Sequence, residues 1–291
     1  MTTTAALAEP LLASAPLARS VASTLCPSRG ERADCSWYHG TWQYLRLLGL
    51  AAAPQRHRHF FADALGSLAR GGRHPRVLVT GTADYSMLAH VADAYTQARA
   101  DLAVVDRCPT PVVLCAWYAG LLGAPLRTFV ADVLELAPGA SFDVVCSHSF
   151  LSQFPARSRQ ALVARWRDLL RPGGVAVTTT RISPPGTPGT VRFTPAQAAA
   201  FAGRARVEAE RLGPVLDLDP EALADRAHRY AGRITVHTVT SSDEVVRLLV
   251  DGGLRVEHLE VREVEGPAAT GTWGPSTSQS ARYAEIVARR D

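Results

Sequence analysis

Acidic side chains of this chain stand directly after short apolar segments, at points where strands of a sheet would end. Asp106 closes the segment 102–105, and Asp132 follows the segment 126–131. A carboxylate at the end of a strand can accept hydrogen bonds from both hydroxyls of a ribose. The spacing therefore predicts a site for a nucleoside-like ligand across neighbouring strand ends.

Two further apolar segments end in small or polar residues. The first precedes Gly81-Thr82-Ala83-Asp84, and the second precedes Cys146-Ser147-His148-Ser149. Small residues before a helix allow backbone N–H groups to approach an anionic ligand. Taken singly, Asp84 fits an N-cap and His148 fits a histidine that supports a loop. The order and spacing of all four strand ends carry the prediction.

Strands and helices alternate along the part of the chain that must position these residues. This pattern predicts an α/β fold with a mostly parallel seven-stranded sheet and helices on both faces. The segment 281–289 follows the segment 254–264 without an intervening helix, so we expect the last strand to be antiparallel. The apolar phase slips near Glu257-His258, which predicts a bulge. The motif G-x-G-x-x-G is absent, which argues against a dinucleotide-binding dehydrogenase.

Composition excludes several classes of protein. The chain has 291 residues, of which 47% are hydrophobic and 20% charged, as is typical of a globular protein. All 31 basic residues are arginine, and the net charge is only +4. The arginines between residues 157 and 171 would spread around a helix, so we expect no nucleic-acid partner. No apolar run reaches about 18 residues, so we expect no membrane span.

The five cysteines show no C-x-x-C pair and no histidine at zinc spacing. We therefore expect neither a disulfide framework nor a structural metal, and free thiols favour a cytoplasmic location. We expect a small-molecule substrate, and the sequence is compatible with a homodimer.

The ordered motifs resemble those of the class I S-adenosylmethionine (SAM)-dependent methyltransferases, over residues 76–291. The resemblance implies a Rossmann-like fold, SAM as co-substrate and no metal. The segments that carry it are Val77-Leu78-Val79-Thr80-Gly81, Val105-Asp106-Arg107-Cys108-Pro109, Ala131-Asp132-Val133, Phe142-Asp143-Val144-Val145 and Leu169-Leu170-Arg171-Pro172-Gly173-Gly174.

The resemblance also implies roles for residues at the reactive end of SAM. Gly81, Thr82 and Ala83 would face the methionine part, and Cys146 and Ser147 would lie near the sulfonium.

At the other end, Asp106 would hold the ribose and Arg107 would flank the adenine. Asp132 would accept a hydrogen bond from the adenine amino group, with Val133 beside the ring.

The chain departs from the family pattern at the methionine end. Val79 stands where the family has an acid, and Ala83 and Tyr85 stand where it has glycines. We include Tyr85 among the expected cofactor-binding residues, with an unusual pose of the amino-acid tail.

An aromatic segment precedes the predicted sheet. One interpretation is an amphipathic helix that packs on the core, and another is a lid whose Trp42 contacts the cofactor. Aromatic faces stabilise a sulfonium as they do other cations. The expected organisation is a loosely ordered N-terminal arm (1–34), an N-terminal helical lid (35–72), a SAM-binding core (73–182), a helical cap inserted over the substrate (183–240) and the end of the core sheet (241–291).

Three functions stay open at this point. The first is methylation of a small molecule, as in natural-product metabolism, with His148 as the candidate base and Tyr38 and His39 as second choices. The second is cyclisation of SAM to a small-ring amino acid, because segments 35–50 and 105–120 resemble those of enzymes that make azetidine-2-carboxylate and release methylthioadenosine. The third is a SAM-binding module without catalysis.

Overall fold

The computed structural model describes residues 9–26, 34–51, 54–69, 74–95, 100–137, 142–265 and 280–291. A seven-stranded sheet lies at the centre of these residues, with a separate two-stranded ladder beside it. The strands are β1 (Arg76–Thr80), β2 (Asp101–Asp106), β3 (Leu126–Val130), β4 (Phe142–His148), β5 (Leu170–Ile182), β6 (Thr190–Val191), β7 (Val236–His237), β8 (Arg255–Glu265) and β9 (Ser280–Arg289).

The strand order in the main sheet is β3-β2-β1-β4-β5-β9-β8, and β6 pairs with β7 in the small ladder. Strands β1 to β5 are parallel, whereas β9 runs antiparallel to both β5 and β8. The register of β8 against β9 shifts between Val256 and His258. The α/β class, the antiparallel last strand and the bulge are therefore confirmed.

Helices cover both faces of the sheet. They are α1 (Leu11–Leu25), α2 (Ser36–Leu47), α3 (Arg58–Ala69), α4 (Ser86–Ala94), α5 (Pro109–Leu122), α6 (Ala156–Leu169), α7 (Pro195–Leu212), α8 (Pro220–Arg233) and α9 (Ser242–Asp251). None of the helices in the described ranges is both long and apolar enough to cross a bilayer.

Two apolar cores follow from the alternation of side chains along the strands. One face packs against α3, α4 and α5 through Phe61, Leu88 and Leu114. The opposite face packs against α6 and α9 through Trp166 and Leu249. Because both faces are covered there, the central strands β1, β2 and β4 consist mostly of apolar residues.

A third core joins α2, in the expected lid, to α7 and α8, in the expected cap. Tyr44 of α2 packs with Phe201 of α7 and Leu223 of α8, and all three side chains are buried. This packing places the cap helices against the lid rather than against the sheet.

The expectation of a loosely ordered arm over 1–34 is wrong for Leu11–Leu25, which form α1. Ala15, Ala18 and Ala22 are fully buried on one side of this helix, which packs against α2 and α5. Alanine has the highest helix propensity, and its small side chain permits close helix packing. Residues 1–8 and 27–33 lie outside the described residues.

Helix starts in the cap follow the sequence closely. The Thr194 hydroxyl accepts from the Gln197 N–H at 3.2 Å, and Gln197 Oε1 accepts from the Thr194 N–H at 2.8 Å. The same reciprocal pair of bonds, a capping box, is only half formed at the start of α9. Ser241 caps the Glu244 N–H at 3.1 Å, but the Glu244 carboxylate accepts from the Thr240 N–H and pairs with Arg159.

Candidate functional site

The strand order reverses between β1 and β4, and ligands of open α/β sheets bind at such a point beyond the carboxyl ends of the strands. The Gly81 N–H donates to the Val105 carbonyl at 3.1 Å, and the Ala131 N–H donates to the Asp106 carbonyl at 3.0 Å. These bonds extend the ladders beyond the strands. The ends of β1, β2 and β3 are therefore neighbours, as the sequence predicts for Gly81, Asp106 and Asp132.

Two carboxylates stand at these ends. Asp106 Oδ1 accepts from the Cys108 N–H at 2.7 Å, and Asp132 Oδ1 accepts from the Leu134 N–H at 3.0 Å. Burial raises the pKa of Asp106 to about 6, although nearby His39 and the Cys108 N–H act in the opposite direction. A carboxylate that has lost water in this way gains from further hydrogen-bond donors.

Gly81 has no space for a side chain. Its φ is +60°, and a Cβ built on it would lie 2.1 Å from the ring of Phe150. Ser149, just before Phe150, has a φ of +53°. Among the described residues, it is the only one other than glycine with a positive φ. The loop after β4 thus turns the Phe150 ring onto the glycine of β1.

Asp84 connects the turn after β1 to the lid. Its side chain is fully buried. One carboxylate oxygen accepts from the Ser86 N–H at 2.6 Å, and the other accepts from Trp42 Nε1 at 2.9 Å and from Arg46 at 3.0 Å. Arg46, itself 3% exposed, also pairs with Glu9 at 2.5 Å. The N-cap residue of α4 is Tyr85 and not Asp84 as expected, but Asp84 accepts from the first N–H of the helix and in addition anchors α2.

Five aromatic side chains lie on the lid and cap beside this anchor. We call them the aromatic cluster: Trp37, Tyr38, Trp42, Phe201 and Tyr230. The Tyr38 ring stacks between Trp42 and Tyr230, at centroid distances of 5.4 and 5.7 Å.

Tyr38 is the cluster residue with the most perturbed environment. Burial raises its pKa, and the neighbouring Tyr230, Asp84 and Asp106 raise it further. The phenol therefore stays neutral, and it lies close enough to both carboxylates to sense their charge. The cluster covers the ends of β1 and β2.

Three thiols converge beside Asp106. The sulfur of Cys108 lies 3.7 Å from that of Cys26 and 3.7 Å from that of Cys35, and all three lie within 4.8 Å of one another. The neighbouring thiols lower the pKa of Cys108. The sequence spacing gave no sign of this convergence, because the three residues belong to different elements.

His39 lies against two of these thiols. Burial favours its neutral form, but hydrogen bonding to Cys108 and Cys35 raises its pKa to about 10. The imidazole thus faces the thiols as well as Asp106.

His148 lies at the carboxyl end of β4, but its imidazole is directed towards β5 and β9. Its Nδ1 lies 2.7 Å from Thr179 Oγ1, and its ring stacks on Tyr283 at 6.1 Å. His57 lies 5.5 Å from it, centroid to centroid, and pairs with Glu285 at 2.9 Å. Burial lowers the pKa of His57.

Four of the predicted cofactor-binding side chains are buried inside the protein. Tyr85 is fully buried, where its ring stacks on Tyr118 at 4.6 Å, and Cys146 is fully buried in the same core. Ser147 and Val133 are buried on the opposite face of the sheet. Their side chains pack in the two cores; for Cys146 and Ser147 of β4, strand alternation directs them there.

The remaining predicted residues lie at the site. The Thr82 hydroxyl is buried and bonds to the Asp84 carbonyl, Ala83 is half-buried, and Arg107 is exposed. Sequence reasoning missed Glu9, Arg46 and Phe150. An arginine within the apolar run of α2 was the one available signal.

A cavity of about 520 Å³ lies between α1, α2 and α8, and four of its lining residues are arginines. We call it the arginine cavity: Arg19, Ser20, Ser23, Ser36, Trp37, Gly40, Arg226, Arg229 and Arg233. Burial lowers the pKa of Arg226, and nearby Arg19 and Arg229 lower it further. Trp37 separates this cavity from the rest of the aromatic cluster.

Comparisons with known proteins agree with this geometry. Residues 84–178, about a third of the chain, match the family described as "Methyltransferase domain". The structure of the 4+2 cyclase SpnF is 13% identical with a TM-score of 0.51, covering 96% of this chain and 93% of that chain. Magnesium protoporphyrin IX methyltransferase from Synechocystis PCC 6803 is 14% identical with a TM-score of 0.49, covering 88% and 96%. No curated protein sequence matches the chain.

Proposed function

Because this chain has the fold and a matching domain of the class I SAM-dependent methyltransferases, we propose that it transfers the methyl group of SAM to a small molecule. The observation that carries the proposal is the alignment of Gly81, Asp106 and Asp132 at adjacent strand ends beneath the aromatic cluster.

Asp106 fits the ribose of SAM. Its pKa is raised because burial removes water from the carboxylate, and two hydroxyl donors would restore hydrogen bonds to it. Asp132 stands at the next strand end, at the position expected to accept from the adenine amino group.

The aromatic cluster fits the sulfonium. When bound, SAM supplies an electrophilic carbon on a positively charged sulfur. Trp42, which is half-buried and bonded to Asp84, is the ring placed to meet it, and an aromatic face stabilises a cation by about 0.5–2 kcal/mol. The rings of the cluster exclude water from the strand ends.

We keep His148 as the candidate base, because it stands at the carboxyl end of β4 and its Nδ1 is held by Thr179. A neutral imidazole there could take a proton from an amine or hydroxyl. Tyr38 is less suited to this task, since its raised pKa keeps the phenol protonated. His39 faces the thiols of Cys35 and Cys108.

The arginine cavity favours an acceptor that carries an acidic group. Arg226 and Arg229 have no ion-pair partner within the described part of the chain. Crowded guanidinium groups would gain from a bound anion. Comparing a carboxylic acid with its amide as acceptor tests this, and equal kcat/KM for the two would contradict it.

Cyclisation of SAM is the second candidate function. Phe150 covers Gly81, and Asp84 is occupied by Trp42 and Arg46, so the methionine part must bind differently from the family pattern. A changed pose favours attack by the substrate's own amine.

Mass spectrometry of the full chain with SAM decides between these functions. Methyl transfer predicts S-adenosylhomocysteine only when an acceptor is added. Cyclisation predicts methylthioadenosine and a ring amino acid from SAM alone. Binding of SAM without any product, across a broad set of acidic acceptors, would contradict both and leave a binding module.

The cofactor site has its own test in Asp106→Asn, with Asp101→Asn as the matched control at the exposed start of the same strand. Loss of the charge-assisted bonds should weaken SAM binding by about 10- to 100-fold in calorimetry. Unchanged affinity in Asp106→Asn would reject the assignment.

A further inference from the structure

Three cysteines that are distant in sequence meet at one point of the fold. Cys26 follows α1, Cys35 precedes α2, and Cys108 precedes α5. The cluster joins the two N-terminal helices to the loop after β2. It lies outside the core of the sheet and outside the aromatic cluster.

The sulfur separations match those of thiolates on one metal ion. Zinc binds thiolate sulfur at about 2.3 Å, and two sulfurs on a tetrahedral ion are then about 3.8 Å apart. The two closest pairs here lie at 3.7 Å. A disulfide would need about 2.05 Å, so the sulfurs are not bonded in pairs, and their spacing fits three thiolates around one ion.

An unsatisfied donor or acceptor stands beside the thiols. His39 is 8% exposed, and its Nδ1 has no hydrogen-bond partner among the described residues. Buried polar atoms of side chains are rarely left in this state. The other ring nitrogen hydrogen-bonds to the thiols of Cys35 and Cys108, so the imidazole lies against two of the three cysteines.

We propose that Cys26, Cys35 and Cys108 bind one zinc ion, and that the imidazole of His39 moves from its contact with Cys35 and Cys108 to supply the fourth ligand. Thiolate and imidazole together select zinc among the common divalent cations. Each thiol that binds releases its proton to solvent, so three thiolates and one cation leave a net charge of −1.

The role of such a site is structural. It ties α1 and α2, which form the lid with its anchor at Asp84, to the residues that follow Asp106. No position is left open for a substrate, since three thiolates and one imidazole complete the tetrahedron. Zinc would therefore hold the lid in register with the cofactor site, and its binding would contribute to the stability of the fold.

The test is the zinc content of the full chain, purified without chelator and measured by inductively coupled plasma mass spectrometry. We expect about one zinc per chain, and less than about a tenth in Cys35→Ser. Cys35 is only half-buried, so this variant should fold. Cys146→Ala is the matched control, because it removes a core thiol that lies away from the cluster.

A second measurement guards against misfolding. The cobalt-loaded chain should show the visible absorption of a tetrahedral thiolate site, and chelation of zinc should lower Tm in the wild type but not in Cys35→Ser. Wild-type protein that stays zinc-free after reconstitution would overturn the proposal. So would a Cys26–Cys108 or Cys35–Cys108 disulfide in protein isolated without oxidant.

Discussion

The indole N–H of Trp42 donates a hydrogen bond to Oδ2 of Asp84 at 2.9 Å, and Arg46 pairs with the same oxygen. One helix of the lid therefore presents two donors to a single buried carboxylate at the end of β1. This contact links the lid to the turn that is expected to meet the cofactor.

Replacing Trp42 by Phe should weaken the fold and not only the site. The ring keeps its stacking on Tyr38, but a charge-assisted hydrogen bond to buried Asp84 is lost. We expect the free energy of unfolding to fall by about 1.5–3 kcal/mol in urea denaturation. Trp37→Phe is the control, since Trp37 contributes ring contacts to the same cluster. Equal midpoints for both variants would mean that the bond contributes nothing.

Gly81 and Phe150 should be energetically coupled. In Gly81→Ala the new Cβ meets the Phe150 ring and adopts a positive φ, so we expect a loss of about 2–4 kcal/mol in the free energy of unfolding. In a Phe150→Ala background only the backbone term of about 1–2 kcal/mol should remain. A double-mutant cycle measures the difference, and additive losses would show that the ring does not restrict this glycine.

Acid should destabilise the protein in part through His90. Burial lowers its pKa to about 4, with Arg46 and His57 adding to the effect. The unfolded chain takes up this proton near pH 6.5, so stability is full above that pH and falls as pH drops towards 4. We measure the free energy of unfolding by urea denaturation at a series of pH values. In His90→Leu, its fall with acid should be smaller than in the wild type by up to about 3 kcal/mol.

The exposed His228 gives the control for that titration. His228→Gln should retain the acid sensitivity of the wild type. If His90→Leu and His228→Gln follow the same pH curve, another group causes the loss.

His148→Gln tests the candidate base. The amide can retain a hydrogen bond to Thr179 but cannot accept a proton at neutral pH. We expect kcat to fall by about 10²- to 10⁴-fold while SAM affinity in calorimetry is nearly unchanged. Full activity of the Gln variant, with a loss only in the Ala variant, would assign His148 a supporting role in the loop.

The sequence predicted elements whose cause is local. Strand ends such as Asp106 and the bulge at His258 depend on neighbours in the chain, and the structure has them where the pattern indicates. The antiparallel last strand followed from the short connection. The order of the motifs along the chain, which matches that of the class I SAM-dependent methyltransferases, predicted the type of fold.

Contacts between distant segments could not be predicted in the same way. Arg46 and Asp84 are 38 positions apart, and Cys26 and Cys108 are 82 apart. Nothing in their local sequence reports the partner. The side chains of Cys146 and Tyr85 point into the core because strand alternation and α4 packing decide their direction. The position of a residue in a motif predicts where its backbone lies, but not the direction of its side chain.

The buried ion pairs of Arg46 with Glu9 and Asp84 bear on which step would limit the rate of the proposed reaction. Under the proposed function, a product held beneath α2 would leave after the ion pairs of Arg46 with Glu9 and Asp84 have separated, and such opening steps often limit the rate of an enzyme. Rapid-mixing experiments should then resolve a first cycle faster than those that follow. Measurements at longer times would miss this burst, and the rate they give would be that of product release and not of the chemical step.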